Sequence, residues 1–198
     1  MVLVTQFSLF GAEATSPSLD DLDGLLLAGG HWVRSASGAR LSVVVADQWR
    51  ADALVAAFEE RGIGGPDAVV AAPSGLGVRT GFARDLVPHA ARWTRGANEG
   101  LPLAFRLGAG GLRLWAIAAG RRDDVGYLLA TAEPDDPIHQ AAGAQLSRLS
   151  VAAVSLAQRG GPGWRVTSDK RLRRLVELVG PAPAGGEDHW PSGQPARH

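Results

Sequence analysis

Side chains able to carry chemistry are sparse in this chain and do not cluster. There is no cysteine, which removes disulfides, thiolate nucleophiles and cysteine-held zinc. The five histidines, His31, His89, His139, His189 and His198, are not spaced at the short intervals that bring two imidazoles to one metal. Neighbouring carboxylates occur at Asp123-Asp124, and two readings stand for them: a solvated turn, or displaced ligands for a divalent cation. Ser168-Asp169 reads as a helix start. No glycine-rich loop carries the lysine of a phosphate-binding loop, so Gly75, Gly77 and Gly81, like Gly108, Gly110 and Gly111, read as hairpin and loop glycines. No cofactor or metal is expected.

Composition narrows the partners. Lys+Arg and Asp+Glu number 20 each, so a nucleic-acid contact must rest on a local patch and not on overall charge. Lys170 is the one lysine; Ala, Gly, Pro and Arg run high together, as a GC-rich bacterial genome produces. Apolar residues make up 45% of the chain, enough for a core. No apolar run has membrane-spanning length, and no basic stretch leads an apolar one at the N-terminus. The expected setting is cytoplasmic, away from membranes.

The elements that must position these residues follow from punctuation and period. Residues 1–18 form an arm ending in Ser16-Pro17-Ser18, and residues 181–198 form a Pro/Gly-rich tail expected to be disordered, with Trp190 packing loosely at most. A helix is expected over 19–30, with Asp20, Asp21 and Asp23 in its first turn and Gly29-Gly30 at its end. A hairpin follows, 31–36 and 40–46, turning at Ser37-Gly38. Then come a helix capped by Asp47 and stopping at Gly62, a hairpin of 68–72 and 78–82, and a helix over 84–95. The second half repeats the order: helix 110–120, a strand over 126–132, helix 137–149, a hairpin of 153–158 and 164–167, and helix 171–179. The fold class is therefore α+β, a duplicated helix-hairpin-helix-hairpin-helix with halves at 19–98 and 99–180.

That order resembles the LAGLIDADG homing-endonuclease fold, in which two such halves build a pseudo-two-fold, saddle-shaped DNA-binding sheet. The stretch "LDGLLLAGG" carries the motif match through Leu22, Gly24, Leu25, Ala28 and Gly30. "LRLWAIAAG", Leu112–Gly120, takes the same register, with Leu114 where the packing glycine is expected, and Leu101-Pro102 resembles the dipeptide that often precedes the second motif. The resemblance implies a metal-binding carboxylate just before each final glycine. Gly29 and Ala119 stand there instead, so a non-catalytic scaffold is expected, because two-metal phosphodiester cleavage needs acidic oxygens. The resemblance also implies an open sheet face. Leu41, Val43 and Val45 are expected to point inward and Arg40 and Ser42 outward. The candidate DNA contacts are Arg34, Arg40, Arg79, Arg159 and Arg165 on strands and Arg121-Arg122 in a loop.

On the arm, Gln6-Phe7-Ser8-Leu9-Phe10 resembles the peptide by which bacterial replication and repair proteins bind the β sliding clamp of DNA polymerase III. Gln6, Ser8, Leu9 and Phe10 match, and Phe7 stands where leucine is usual. An extended peptide can set Leu9 and Phe10 in an apolar pocket while the Gln6 amide bonds at the rim. The expectation is a non-enzymatic DNA replication or repair accessory. It is monomeric with internal pseudo-symmetry, and nucleoid-associated when clamp-bound. Two alternatives remain: a divalent-metal nuclease using Asp123 and Asp124, and a protein-binding adaptor without DNA affinity whose arm packs on its body.

Overall fold

The computed structural model describes residues 16–95, 98–132, 137–156 and 161–193. Chain order begins with a 3₁₀ turn, Leu19–Leu22, running into α1, Asp23–Leu27. Ser18 caps that turn: its hydroxyl accepts from Asp20 N while Asp21 accepts from Ser18 N. Then follow β1 His31–Ser35, β2 Gly38–Val45, α2 Gln48–Glu60, β3 Val69–Ala72 and β4 Gly75–Arg79. A 3₁₀ turn, Arg84–Leu86, leads into α3, Val87–Arg92, and a small hairpin of β5 Thr94–Arg95 and β6 Asn98–Glu99. The second half holds α4 Ala109–Ala119, β7 Gly120–Asp123, β8 Gly126–Ala130, α5 Pro137–Arg148, β9 Val154–Leu156, β10 Gly163–Val166 and α6 Asp169–Val179.

The strands make two four-stranded antiparallel sheets of the same order, β1-β2-β4-β3 and β7-β8-β10-β9. Their registers match position by position. Ser42 faces Arg79 as Leu128 faces Arg165; Val44 faces Gly77 as Ala130 faces Gly163; Gly77 faces Val70 as Gly163 faces Leu156. This is the expected duplicated α+β saddle, written in hydrogen bonds where the two half-sequences share little.

Between the sheets, α1 and α4 pack together, and α4 also touches α2 and α6. Every residue of α1 is buried, as are Leu112, Leu114, Trp115 and Ile117 of α4. The close approach is made by glycines: a β-carbon on Gly24 would overlap the Gly111 carbonyl, standing 2.6 Å from its carbon. Gly111, one helical turn before Leu114, supplies the glycine that the motif register put at Leu114. The inward prediction for β2 holds, with Leu41, Val43 and Val45 in the core.

Several boundaries differ from expectation for local reasons. β4 begins at Gly75 and not at Val78, because Gly75 pairs with Ala72 across a two-residue turn and its φ of 148° suits only glycine. The third helix is shorter than 84–95. Pro88 sits in its first turn, and the fully buried Trp93 ends it. The tail is a larger correction. Up to Ser192 it lies on the body, because its aromatic rings find partners. Trp190 is buried and donates Nε1 to Gly180 O at 2.8 Å. Arg113 stands over its ring, and His189 stacks on Trp49. Burying such rings outweighs the entropy of ordering a short Pro-rich strap.

Candidate nucleic-acid interface

The helices lie on one side of each sheet, so strand register decides what the other side shows. In the first half the open face carries His31, Ser42 and Arg79 in one cross-strand row, with Arg40 and Val44 flanking it on β2. In the second half the matching row is Arg121, Leu128, Arg165 and Val154. Arg79 and Arg165 are therefore symmetry equivalents.

Most of these cations are already engaged. Arg79 donates Nε to Asp67 O at 2.7 Å and lies 3.8 Å from the Asp67 carboxylate. Arg165 pairs with Asp123 at 2.7 Å. The Arg40 guanidinium sits 4.6 Å from the centre of the Phe82 ring. Leu128, with Arg121 and Arg165 opposite it on the neighbouring strands, is buried while Val44 and Val154 are exposed, so the open faces mix apolar and basic character.

Two candidates, Arg34 and Arg122, are displaced from the predicted interface. Arg34 pairs across β2 with Ala39, which puts it on the helix side; there its Nη2 donates to Thr94 Oγ1 at 2.8 Å. Arg121 and Arg122 are not in a loop. Both lie on β7, and Arg122, opposite Tyr127, also faces the helix side. Strand alternation puts Arg34 and Arg122 on the opposite side of their sheets. Arg159 and the Gln6–Phe10 segment lie outside the described residues.

The ends of the central helices are where the resemblance placed metal ligands. α1 closes on Gly29, with φ 88°, and a β-carbon there would sit 3.3 Å from the Ala132 methyl. At the end of α4, the buried Arg50 donates to Ile117 O at 2.6 Å and to Gly120 O at 2.7 Å, bracketing Ala119. Asp47 holds the same guanidinium at 2.9 Å, and it stacks on Trp49. A fixed cation thus satisfies the negative end of the helix. Asp123, offered as a substitute ligand, is the partner of Arg165 and accepts from Val125 N at 3.1 Å; Asp124 forms the exposed hairpin turn with Val125. Among the described residues no group of three or more His, Asp or Glu is gathered as a metal site would be.

Two buried polar groups went unpredicted. Asp23, the one charge inside "LDGLLLAGG", accepts from Trp93 Nε1 at 2.7 Å and meets Arg92 Nη2 at 3.1 Å. Burial pushes its carboxyl above the usual value, with the Trp93 hydrogen bond and Arg92 pulling the other way. A lone carboxylate in an apolar run is itself the signal that a partner must exist. His139 lies 2.9 Å from Thr131 Oγ1 and 2.9 Å from Ser155 Oγ, stacked on Trp164. Nothing in its sequence surroundings distinguishes it. Arg50 was legible only as the (i, i+3) partner of Asp47; its reach to α4 is tertiary.

With this geometry in view, the comparisons are informative in one respect. No family model matches the chain, and no curated protein matches its sequence. By structure the chain is similar to the homing endonuclease I-WcaI bound to its DNA recognition sequence, with a TM-score of 0.54 over 83% of this chain and 82% of that one. The fold is homing-endonuclease-like. Identity is 11%, so the likeness carries the fold and no residue roles. Within this fold the chain has two four-stranded sheets of the same order and a glycine crossing of its central helices.

Proposed function

We propose that this chain is a non-enzymatic accessory of DNA replication or repair, which docks on the bacterial β sliding clamp through Gln6–Phe10 and holds a homing-endonuclease-like body against DNA. The observation that carries the non-catalytic part is the guanidinium of Arg50 at the end of α4, hydrogen-bonded on both sides of Ala119. That guanidinium, itself paired with Asp47, is the cation this helix end already holds. With Gly29 and Ala119 in place of carboxylates, neither motif position offers a divalent cation an acidic oxygen.

The clamp assignment is supported by composition and position. Four of the five residues of "QFSLF" follow the clamp-peptide pattern, and Gly11 and Ser16-Pro17 separate it in sequence from the body. Such a peptide binds modestly alone, and tethering raises the local concentration of a weakly binding body near DNA. The DNA-bound state of the structural neighbour supports DNA as the second partner.

The test is binding of the full chain to purified β clamp, beside a variant combining Gln6→Ala, Leu9→Ala and Phe10→Ala. Micromolar binding that the variant loses is the expected result; equal binding by both, or none by either, rejects clamp docking. A parallel plasmid assay with Mg²⁺ and Mn²⁺ addresses catalysis. Cleavage that disappears in Asp123→Ala, Asp124→Ala would establish the nuclease reading instead.

A further inference from the structure

We infer that the body meets duplex DNA through the exposed face of α6, contacting phosphates, and not through its sheet faces. The inference rests on the DNA-accessory reading above and specifies the surface that serves it. α6 buries Leu172, Leu175 and Val179 against the core and turns Lys170, Arg171, Arg173 and Arg174 outward. Four cations in five residues make (i, i+3) and (i, i+4) like-charge neighbours, which destabilise a helix. They also crowd its N-terminal half, where the helix dipole disfavours positive charge. Two acids of the helix answer them in part: Glu177, 3.2 Å from Arg174, and Asp169 in the first turn, (i, i+4) from Arg173. A local arrangement that works against its own helix is expected where a ligand provides the compensation, and a polyanion compensates all four at once.

Two further features fit DNA. First, the helix borders a cleft close to the start of the body. A cleft of about 650 Å³ brings Arg174 of α6 beside Arg106 and Arg148, with Asp20, Asp21 and Glu177 also in its wall and Ser16 and Ser18 lining it. Residue 16 therefore lies beside this cleft. Ser16 lies six positions after Phe10, so a clamp-held peptide would keep the body within roughly 20 Å. Second, the spacing suits a duplex. Lys170 to Arg174 spans about 6 Å of helix rise, over which duplex DNA presents three to four phosphates at about 1.7 Å each. The sheet arginines offer less: Arg79, Arg165 and Arg40 already have an acid, an acid and an aromatic ring.

The test uses the full chain and a fluorescein-labelled, mixed-sequence duplex of about 30 base pairs, titrated by anisotropy between about 50 and 200 mM salt. The α6 variant combines Lys170→Gln, Arg171→Gln, Arg173→Gln and Arg174→Gln. It removes charges the helix disfavours, so its melting temperature should hold or rise. A charge-keeping variant, Arg171→Lys, Arg173→Lys, Arg174→Lys, controls for shape, and Arg40→Gln, Arg79→Gln, Arg121→Gln, Arg165→Gln clears the sheets. The wild type should lose about a hundredfold in affinity across that salt range, as about four phosphate contacts require. The α6 glutamine variant should bind at least tenfold more weakly, with a salt slope smaller by about 3. The lysine and sheet variants should stay close to wild type. Loss in the sheet variant with retention in the α6 variant overturns the inference and leaves the accessory reading intact, with DNA on the saddle. Clamp binding without DNA binding also overturns it. Clamp affinity that falls in the α6 glutamine variant would then assign the patch to an acidic protein surface. Absence of both DNA and clamp binding rejects the accessory reading as well.

Discussion

Substituting Gly24→Ala tests the central helix pair at its tightest point. The added methyl would stand 2.6 Å from the Gly111 carbonyl carbon and overlap its oxygen. Carbon atoms pack best at about 3.5–4.0 Å, so one helix must retreat by about 1 Å. The obstacle is backbone, which has no alternative rotamer. The cost therefore falls at or above the top of the usual overpacking range, about 3 kcal/mol. Retreat also opens the seam lined by Leu22, Leu25, Leu112 and Trp115, all fully buried. Against this, alanine gains about 1 kcal/mol of helix propensity over glycine. The net expectation is about 2–4 kcal/mol, or a melting temperature lower by roughly 5–15 °C in a chain of this size. Thermal unfolding followed by circular dichroism reads it directly. Gly108→Ser is the matched control, since a β-carbon there meets nothing within 4 Å and serine can cap α4. A Gly24→Ala protein melting within about 2 °C of wild type would refute the glycine crossing, and with it the placement of Gly111 opposite Gly24.

Two further outcomes follow from the buried charges. Arg50→Met keeps an apolar stem beside Trp49 but strips the donors from Ile117 O and Gly120 O; leaving buried carbonyls unpaired should cost about 3 kcal/mol, measured by urea unfolding, and an unchanged midpoint would show that water replaces the guanidinium. Asp23 has its folded pKa raised above 3.8, chiefly by burial, so the stability it contributes is full below pH 3.8 and declines as pH rises through the folded value. Asp23→Asn, whose amide oxygen can still accept from Trp93, should lack that decline relative to wild type in unfolding curves collected across acid to neutral pH; parallel curves would contradict the burial argument.

The fold was legible where sequence rules are local. Asp47 before α2, Gly62 after it and the run Val43-Val44-Val45 placed their elements closely. The duplication was legible from element order alone, because antiparallel register carries the symmetry and register leaves little trace in residue identity. What stayed hidden is tertiary. Arg34 and Arg122 are a position away from the open face, and strand alternation converts that small uncertainty into the opposite side of a sheet. Trp190 looked stranded among prolines and glycines, yet Arg113 and the Gly180 carbonyl, distant in chain or by turn, give its ring and its N–H a place. Gly111 was visible as a glycine, but only the helix crossing shows that it meets Gly24.

The two halves also separate what packing demands from what chemistry demands. Gly77 and Gly163 occupy the same place in the two sheets, where a β-carbon would press on Val70 in one and on the Leu129 carbonyl in the other. Arg79 and Arg165 likewise correspond, and each is turned to an aspartate of its own half. The scaffold is thus kept where a methyl group would break it. At the ends of the central helices no such steric demand holds a carboxylate in place: the space beside Gly29 is taken by Ala132, and the end of α4 by Arg50. A protein whose symmetric faces are internally paired has its uncompensated charge elsewhere, and here that charge lies on α6, beside the point where the arm begins. The proposed division of labour follows from this placement. The arm supplies the address, α6 the contact with the polyanion, and the saddle the rigid body that keeps the two within one short tether of each other.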